Sequence, residues 1–102
     1  MIARMWFQKT LPDFLGSPME ADAEKWRTQE YFPALRRQKG FIQVFLAIPD
    51  DPGDEAVEVE LWESREALET WHKTKEFQEM LSRLPIKYAE PPTTKVYDEV
   101  RL

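Results

Sequence analysis

The chain has one histidine, His72, directly after a tryptophan, Trp71, in the run LWESREALETWHKTKEFQEML at residues 61–81. An unperturbed imidazole titrates close to neutral pH, so His72 is the candidate general base, able to take a phenolic proton. Glu69, Lys75 and Glu76 stand near enough in sequence to shift it, in a direction the sequence does not fix. Arg4 is the candidate anion partner. It shares a strand parity with Trp6, and an arginine on a covered face needs a counter-charge or an anionic ligand. Pairing with Glu58 or Glu60 is the default, and a bound phenolate is the functional alternative. Glu58 and Glu60 alternate along a strand, which reads as a solvated or ion-paired edge. Tyr31, Tyr88, Tyr97 and Asp98 add phenols and an acid.

Each of these has a plainer reading. Trp71 lies i+3 from Leu68 and i+4 from Ala67, so it packs between helix and sheet, with a place in a cavity wall as the functional reading. His72 sits at the margin of the same apolar stripe and reads as a partly exposed side chain.

Several chemistries are excluded. There is no cysteine, hence no disulfide, thiolate nucleophile or thiolate-held zinc. A metal site needs histidines and carboxylates converging, and one histidine does not supply that, so no metal is expected. The three glycines, Gly16, Gly40 and Gly53, make no phosphate-cradling loop, so no nucleotide cofactor is expected. A single histidine beside a tryptophan builds no serine triad.

A length of 102 residues predicts one domain, 1–102, with a modest core. Its 42% hydrophobic and 32% charged content is that of an ordinary folded chain. A net charge of −5 argues against a nucleic-acid partner, and the basic run Arg36-Arg37-Gln38-Lys39 suits a helix C-terminus. The N-terminal apolar run is too short for a signal peptide and no segment could span a bilayer, so a cytoplasmic protein without membrane contact is expected.

The positioning elements follow from pattern. Residues 2–8 predict a strand, followed by a loop through Leu11, Phe14 and Leu15 that folds back onto the body. Ser17, Pro18 and Glu20 start a helix that runs to about Lys39 and ends at Gly40, with a kink near Tyr31 and Phe32 where Pro33 removes a donor. Residues 40–49 and 56–62 predict a hairpin across Asp50–Asp54. Ser64 caps a second helix that Thr74 restarts, carrying Phe77 and Met80 as far as Pro85. Residues 93–100 close the list as a strand. The order β-α-β-β-α-β is the ferredoxin-like arrangement: a four-stranded antiparallel sheet with two helices on one face, an α+β fold. Phe41, Gln43, Phe45 and Ala47 point one way along the second strand, and Ile42, Val44, Leu46 and Ile48 the other. Both faces are apolar, although helices cover only one. A second copy, sheet against sheet, is the expected cover and therefore the expected partner.

Three stretches resemble the antibiotic-biosynthesis-monooxygenase-like domains of the dimeric α+β barrel superfamily. Ile2-Ala3-Arg4-Met5-Trp6 is similar to their first strand. Tyr31-Phe32-Pro33-Ala34-Leu35 with Gly40-Phe41 resembles the end of their first helix and the start of strand two. Leu61-Trp62-Glu63-Ser64-Arg65-Glu66-Ala67-Leu68, with Trp71 and Phe77 beyond it, resembles their W-x-S-x-E-A-L helix start. The resemblance implies a homodimer with a ligand cavity between helices and sheet. Its enzymes include cofactor-free oxygenases of polycyclic phenols, quinol oxidases and haem-degrading oxygenases. The haem-degrading branch fits poorly, because the chain has no asparagine and Leu81 stands where the iron-ligating histidine belongs. The expectation is thus a cofactor-independent monooxygenase, using no cofactor, on an aromatic or quinol substrate. His72 would be its base, Arg4 its anion partner, and Trp71, Trp6, Phe77, Tyr97 and Phe32 its cavity lining. A non-catalytic binding or interaction module is the alternative.

Overall fold

The computed structural model describes residues Met1–Leu102. Strand β1 (Ile2–Gln8) leads into a helical arm of three consecutive pieces: α1 (Pro18–Lys25), a π-helical segment (Trp26–Tyr31) and α2 (Phe32–Arg36). Then come β2 (Phe41–Ala47), β3 (Ala56–Trp62), a second arm of α3 (Arg65–His72) and α4 (Lys75–Ser82), and β4 (Thr93–Tyr97). The strands stand in the order β2-β3-β1-β4, every neighbouring pair antiparallel. This is the ferredoxin-like sheet, and it makes β3 and β1 central strands.

The capping chemistry explains where the helices begin. Ser17 accepts from the Glu20 amide at 3.2 Å, Ser64 from Ala67 at 3.1 Å and Thr74 from Phe77 at 3.1 Å. Thr74 thereby divides the second arm as its sequence anticipates. In the first arm, Pro33 leaves the rod unbroken. The turn before it widens to π spacing, with the Phe32 amide donating to the Arg27 carbonyl, so the ring sits at the start of α2 where no donor is required. Gly40 ends the arm at φ +86, and a β-carbon there would lie 2.6 Å from Ala67 Cβ. Only glycine suits both the backbone and the space.

The core lies between the sheet and the arms. Trp26 stacks on Tyr31 at 4.8 Å and donates to the Met80 carbonyl at 3.0 Å, and Trp71 meets Phe77 edge-on at 5.4 Å. A bulge between Phe41 and Gln43 corrects the simple alternation expected of strand two. Phe41 stands opposite Trp62 and packs on it at 5.4 Å, on the helix side with Val44 and Leu46. Gln43, Phe45 and Ala47 lie opposite Leu61, Val59 and Val57, on the face that no helix covers. Phe45 is exposed there, Val59 is buried, and Met5, Phe7 and Leu61 are half-buried. The strand alternation places these side chains together with Tyr97 on one apolar face.

Candidate active site

β3 supplies the unexpected part of the site. Glu58 and Glu60 are not an edge: they lie on a central strand, face the helices, and are both 0% exposed. Two strand residues span about 7 Å and a helical turn advances at most about 6 Å, so helix residues four apart can meet them both. Arg27 and Tyr31, in the π-helical segment, do so. The Tyr31 hydroxyl donates to Glu60 Oε2 at 2.7 Å, and Arg27 Nε stands 3.7 Å from Glu58 Oε1.

The two carboxylates have opposite surroundings. Glu60 also accepts from Arg4 Nη1 at 3.0 Å and Trp62 Nε1 at 3.1 Å, so three donors hold its charge. Glu58 accepts no hydrogen bond at either oxygen, and Arg27 Nε likewise has no hydrogen-bond partner. Burial first, then the neighbouring Glu60 charge, pushes Glu58 up to about 8, against the smaller opposing pull of Arg27 and Arg4. Glu58 is therefore largely protonated at neutral pH. Burial and the two carboxylates raise the Tyr31 phenol well above its ordinary range, so it remains a donor.

A cavity of about 760 Å³ opens beside this pair, between α1 and the end of the sheet that carries the β2–β3 hairpin. Such a volume suits an organic ligand of several rings. Leu46, Ile48 and Ala56 of the hairpin, Phe14 and Leu15 of the folded-back loop, and Ala23 of α1 give it apolar walls. Its polar inner end is formed by Gln8, the last residue of β1, and by Arg27, both buried. Arg27 is the only basic residue in the lining; Glu20, Glu24, Asp50 and Asp54 provide carboxylates nearer the mouth.

The residues singled out in the sequence fall elsewhere. Arg4 makes the ion pair with Glu60 that was the default for it and also lies 5.8 Å from the Trp6 ring. His72 is half-buried at the end of α3, stacked 4.5 Å from Phe77, and its Nε2 has no partner. Burial, then the Arg4 charge, lowers its pKa, so the imidazole is neutral at pH 7. Trp71, Trp6 and Phe77 are buried, and Phe32 packs at the core margin. Tyr97 pairs with Ala3 and so projects from the helix-free face. None of these seven residues lines the 760 Å³ cavity. The physical reason is packing: Leu68, Trp71, Phe77 and Met80 of the second arm fill the space between it and the sheet. The small residues of α1 leave room at the other end.

The signal for the missed residues was present in part. Ferredoxin-like connectivity makes strand three central, which already denies Glu58 and Glu60 an edge. Arg27, four before Tyr31 and two after Lys25, has no distinguishing motif around it.

A ferredoxin-like α+β domain with a ligand-sized cavity and a buried carboxylate pair is thus defined by its geometry. The family model for antibiotic biosynthesis monooxygenase matches residues 24–83, and the chain belongs to that family. That match includes Arg27, Tyr31, Glu58 and Glu60. Among solved structures the chain is similar to SnoaB, a cofactor-independent oxygenase from Streptomyces nogalater. Identity there is 14% and the TM-score 0.70, over 99% of this chain and 92% of that one. It is also similar to Rv0793 from Mycobacterium tuberculosis (19%, TM-score 0.73, 99% and 96% covered). A conserved protein from Methanosarcina mazei Go1 is a third (11%, TM-score 0.78, 97% and 92% covered). At these identities the likeness concerns the fold. No curated protein matches the sequence.

Proposed function

We propose that the protein is a cofactor-independent oxygenase that binds a flat, electron-rich phenol in the cavity between α1 and the β2–β3 hairpin. The observation that carries this reading is the single buried arginine at the inner end of a ligand-sized space with apolar walls and carboxylates nearer its mouth. Family membership and the SnoaB-like fold support it.

The substrate in mind is an anthrone-like phenol with an oxidisable ring methylene. Arg27 receives the phenolate oxygen, and Glu24, whose Oε2 lies 3.9 Å from Arg27 Nη1 on the same wall, accepts the proton. The anion passes one electron to dioxygen, giving superoxide and a substrate radical, which combine through a new carbon–oxygen bond. The remaining methylene proton passes to the distal peroxide oxygen as the oxygen–oxygen bond breaks, leaving a carbonyl and hydroxide. The departing hydroxide becomes water with the proton first removed. One dioxygen is consumed, the methylene carbon is oxidised, and no external reductant is needed. The protein supplies orientation and charge stabilisation.

Oxygen uptake with anthrone tests this. Arg27→Gln is expected to lower the rate at least tenfold, with His72→Ala and Trp71→Phe near wild type. A rate lost in His72→Ala and kept in Arg27→Gln would return the chemistry to the His72–Arg4 end of the core. Ligand binding with no oxygen uptake would favour the binding-module alternative.

The apolar helix-free face, with Phe45 exposed on its edge strand β2, supports a homodimer built sheet against sheet. Sedimentation is expected to give twice the 12.1 kDa chain mass, and Phe45→Glu to return the single chain. A monomeric wild type at micromolar concentration would refute the arrangement.

A further inference from the structure

We propose that Glu58 is a positioning residue for Arg27: while it holds a proton it leaves the guanidinium free for an anionic ligand oxygen, and on losing that proton it draws the guanidinium back onto itself and strips the cavity of its one cation. The proposal rests on the reading of the 760 Å³ cavity as the ligand site.

The geometry has three parts. Arg27 lines the cavity and Glu58 does not, so the carboxyl stands behind the guanidinium as seen by a ligand. Their 3.7 Å separation is that of an ion pair without a hydrogen bond, and a shift of about 1 Å would close it to a charge-assisted bond. Both Glu58 oxygens and Arg27 Nε are buried without partners, so each has bonding capacity left for the other. The neighbouring Glu60 shows the contrasting state, its charge met by Arg4, Tyr31 and Trp62.

The groups that act on Glu58 come from every side. The helical arm offers Arg27 and Tyr31, the sheet offers Arg4 and Glu60, and the connector before β4 offers Tyr88. The two phenols are raised by burial and stay protonated across the working range. Arg4 is engaged by Glu60 and does not line the cavity. Arg27 is thus the cation that can answer either Glu58 or a ligand. Its other neighbour, Glu24, is 3.9 Å away and largely exposed, which makes it a weak competitor.

The test compares 4-nitro-1-naphthol, ionised throughout the range used, with its methyl ether, which cannot ionise. Equilibrium dialysis measures both against the full chain and against Glu58→Gln and Arg27→Gln. In wild type the naphtholate affinity is expected to fall about tenfold or more between about pH 7 and about pH 9.5, while the ether is unaffected. Glu58→Gln, a neutral stand-in for the protonated acid, is expected to remove that fall. Arg27→Gln is expected to weaken naphtholate at least tenfold at neutral pH and leave the ether unchanged. A wild-type fall that persists in Glu58→Gln, or no fall in wild type, overturns the role of Glu58. Neither probe binding removes the cavity reading and this role together. Anthrone oxidation with pH-independent naphtholate binding would sink Glu58 alone, and pH-dependent binding without oxygen uptake would sink the oxygenase alone.

Discussion

Glu58→Gln should change how stability depends on pH, and its size can be worked from the fold. Glu58 titrates near an ordinary 4.5 when unfolded and at about 8 in the native protein. Between these values the native state binds the proton and the unfolded state releases it, so stability falls as pH rises. Below about 4.5 both states are protonated and above about 8 both are ionised, so the loss is confined to that window. At about 1.4 kcal/mol per pH unit the whole interval is worth about 4–5 kcal/mol, a large share of the stability of a small domain. Glutamine keeps the shape and cannot ionise. Urea unfolding of both proteins at about pH 5 and about pH 8.5 reads the difference. The variant is expected to gain several kcal/mol on wild type at the higher pH and little at the lower. Parallel profiles, within about 1 kcal/mol at both, would mean that Glu58 is already ionised in the native protein.

Other outcomes follow from the same core. His72 has a native pKa below its ordinary value, so it contributes stability above about 6.5 that is lost as pH falls through the native value; His72→Gln should flatten the acid side of the stability profile without touching the alkaline side. Tyr31→Phe removes a 2.7 Å bond to the buried Glu60 carboxyl and should cost about 1–3 kcal/mol in urea, whereas Tyr88→Phe, whose hydroxyl has no partner, should cost less; equal costs would refute the contrast. Gly40→Ala should cost at least about 2 kcal/mol from left-handed backbone and overlap with Ala67. Gly40→Ala with Ala67→Gly should recover the overlap and keep the backbone cost, and a neutral single variant would show that the turn rearranges.

The element order was legible because local chemistry and tertiary demand agree. Ser17, Ser64 and Thr74 are capping residues by type and accept the capping bonds in the fold, and Gly40 ends the first arm as expected. Two local features escaped pattern. The π turn before Pro33 is a way of keeping a helix continuous through proline, and it depends on what the rod packs against. The bulge at Phe41–Gln43 cancels strict alternation, and nothing in FIQVFLA marks it.

The site was harder for a different reason. A carboxylate in a strand is read as solvated because burying it alone is prohibitive. What makes Glu60 tolerable is three donors drawn from β1, the helical arm and its own strand, a coincidence visible only after the chain has folded. Arg4 could be paired from sequence because it shares a sheet with the acids. Arg27 could not, since its reach to Glu58 depends on the arm's rotation, and one residue of slip would turn it to water. His72 drew attention because imidazole is the usual neutral-pH base. Here burial has moved two groups in opposite directions, so that both the histidine and Glu58 are neutral at pH 7. On the proposed reading, a neutral acid behind Arg27 leaves one guanidinium charge at the buried end of a cavity that otherwise carries carboxylates, and that charge sets which ligands the buried end would prefer. The oxygens of Glu58 are the part of the site where a single proton decides it.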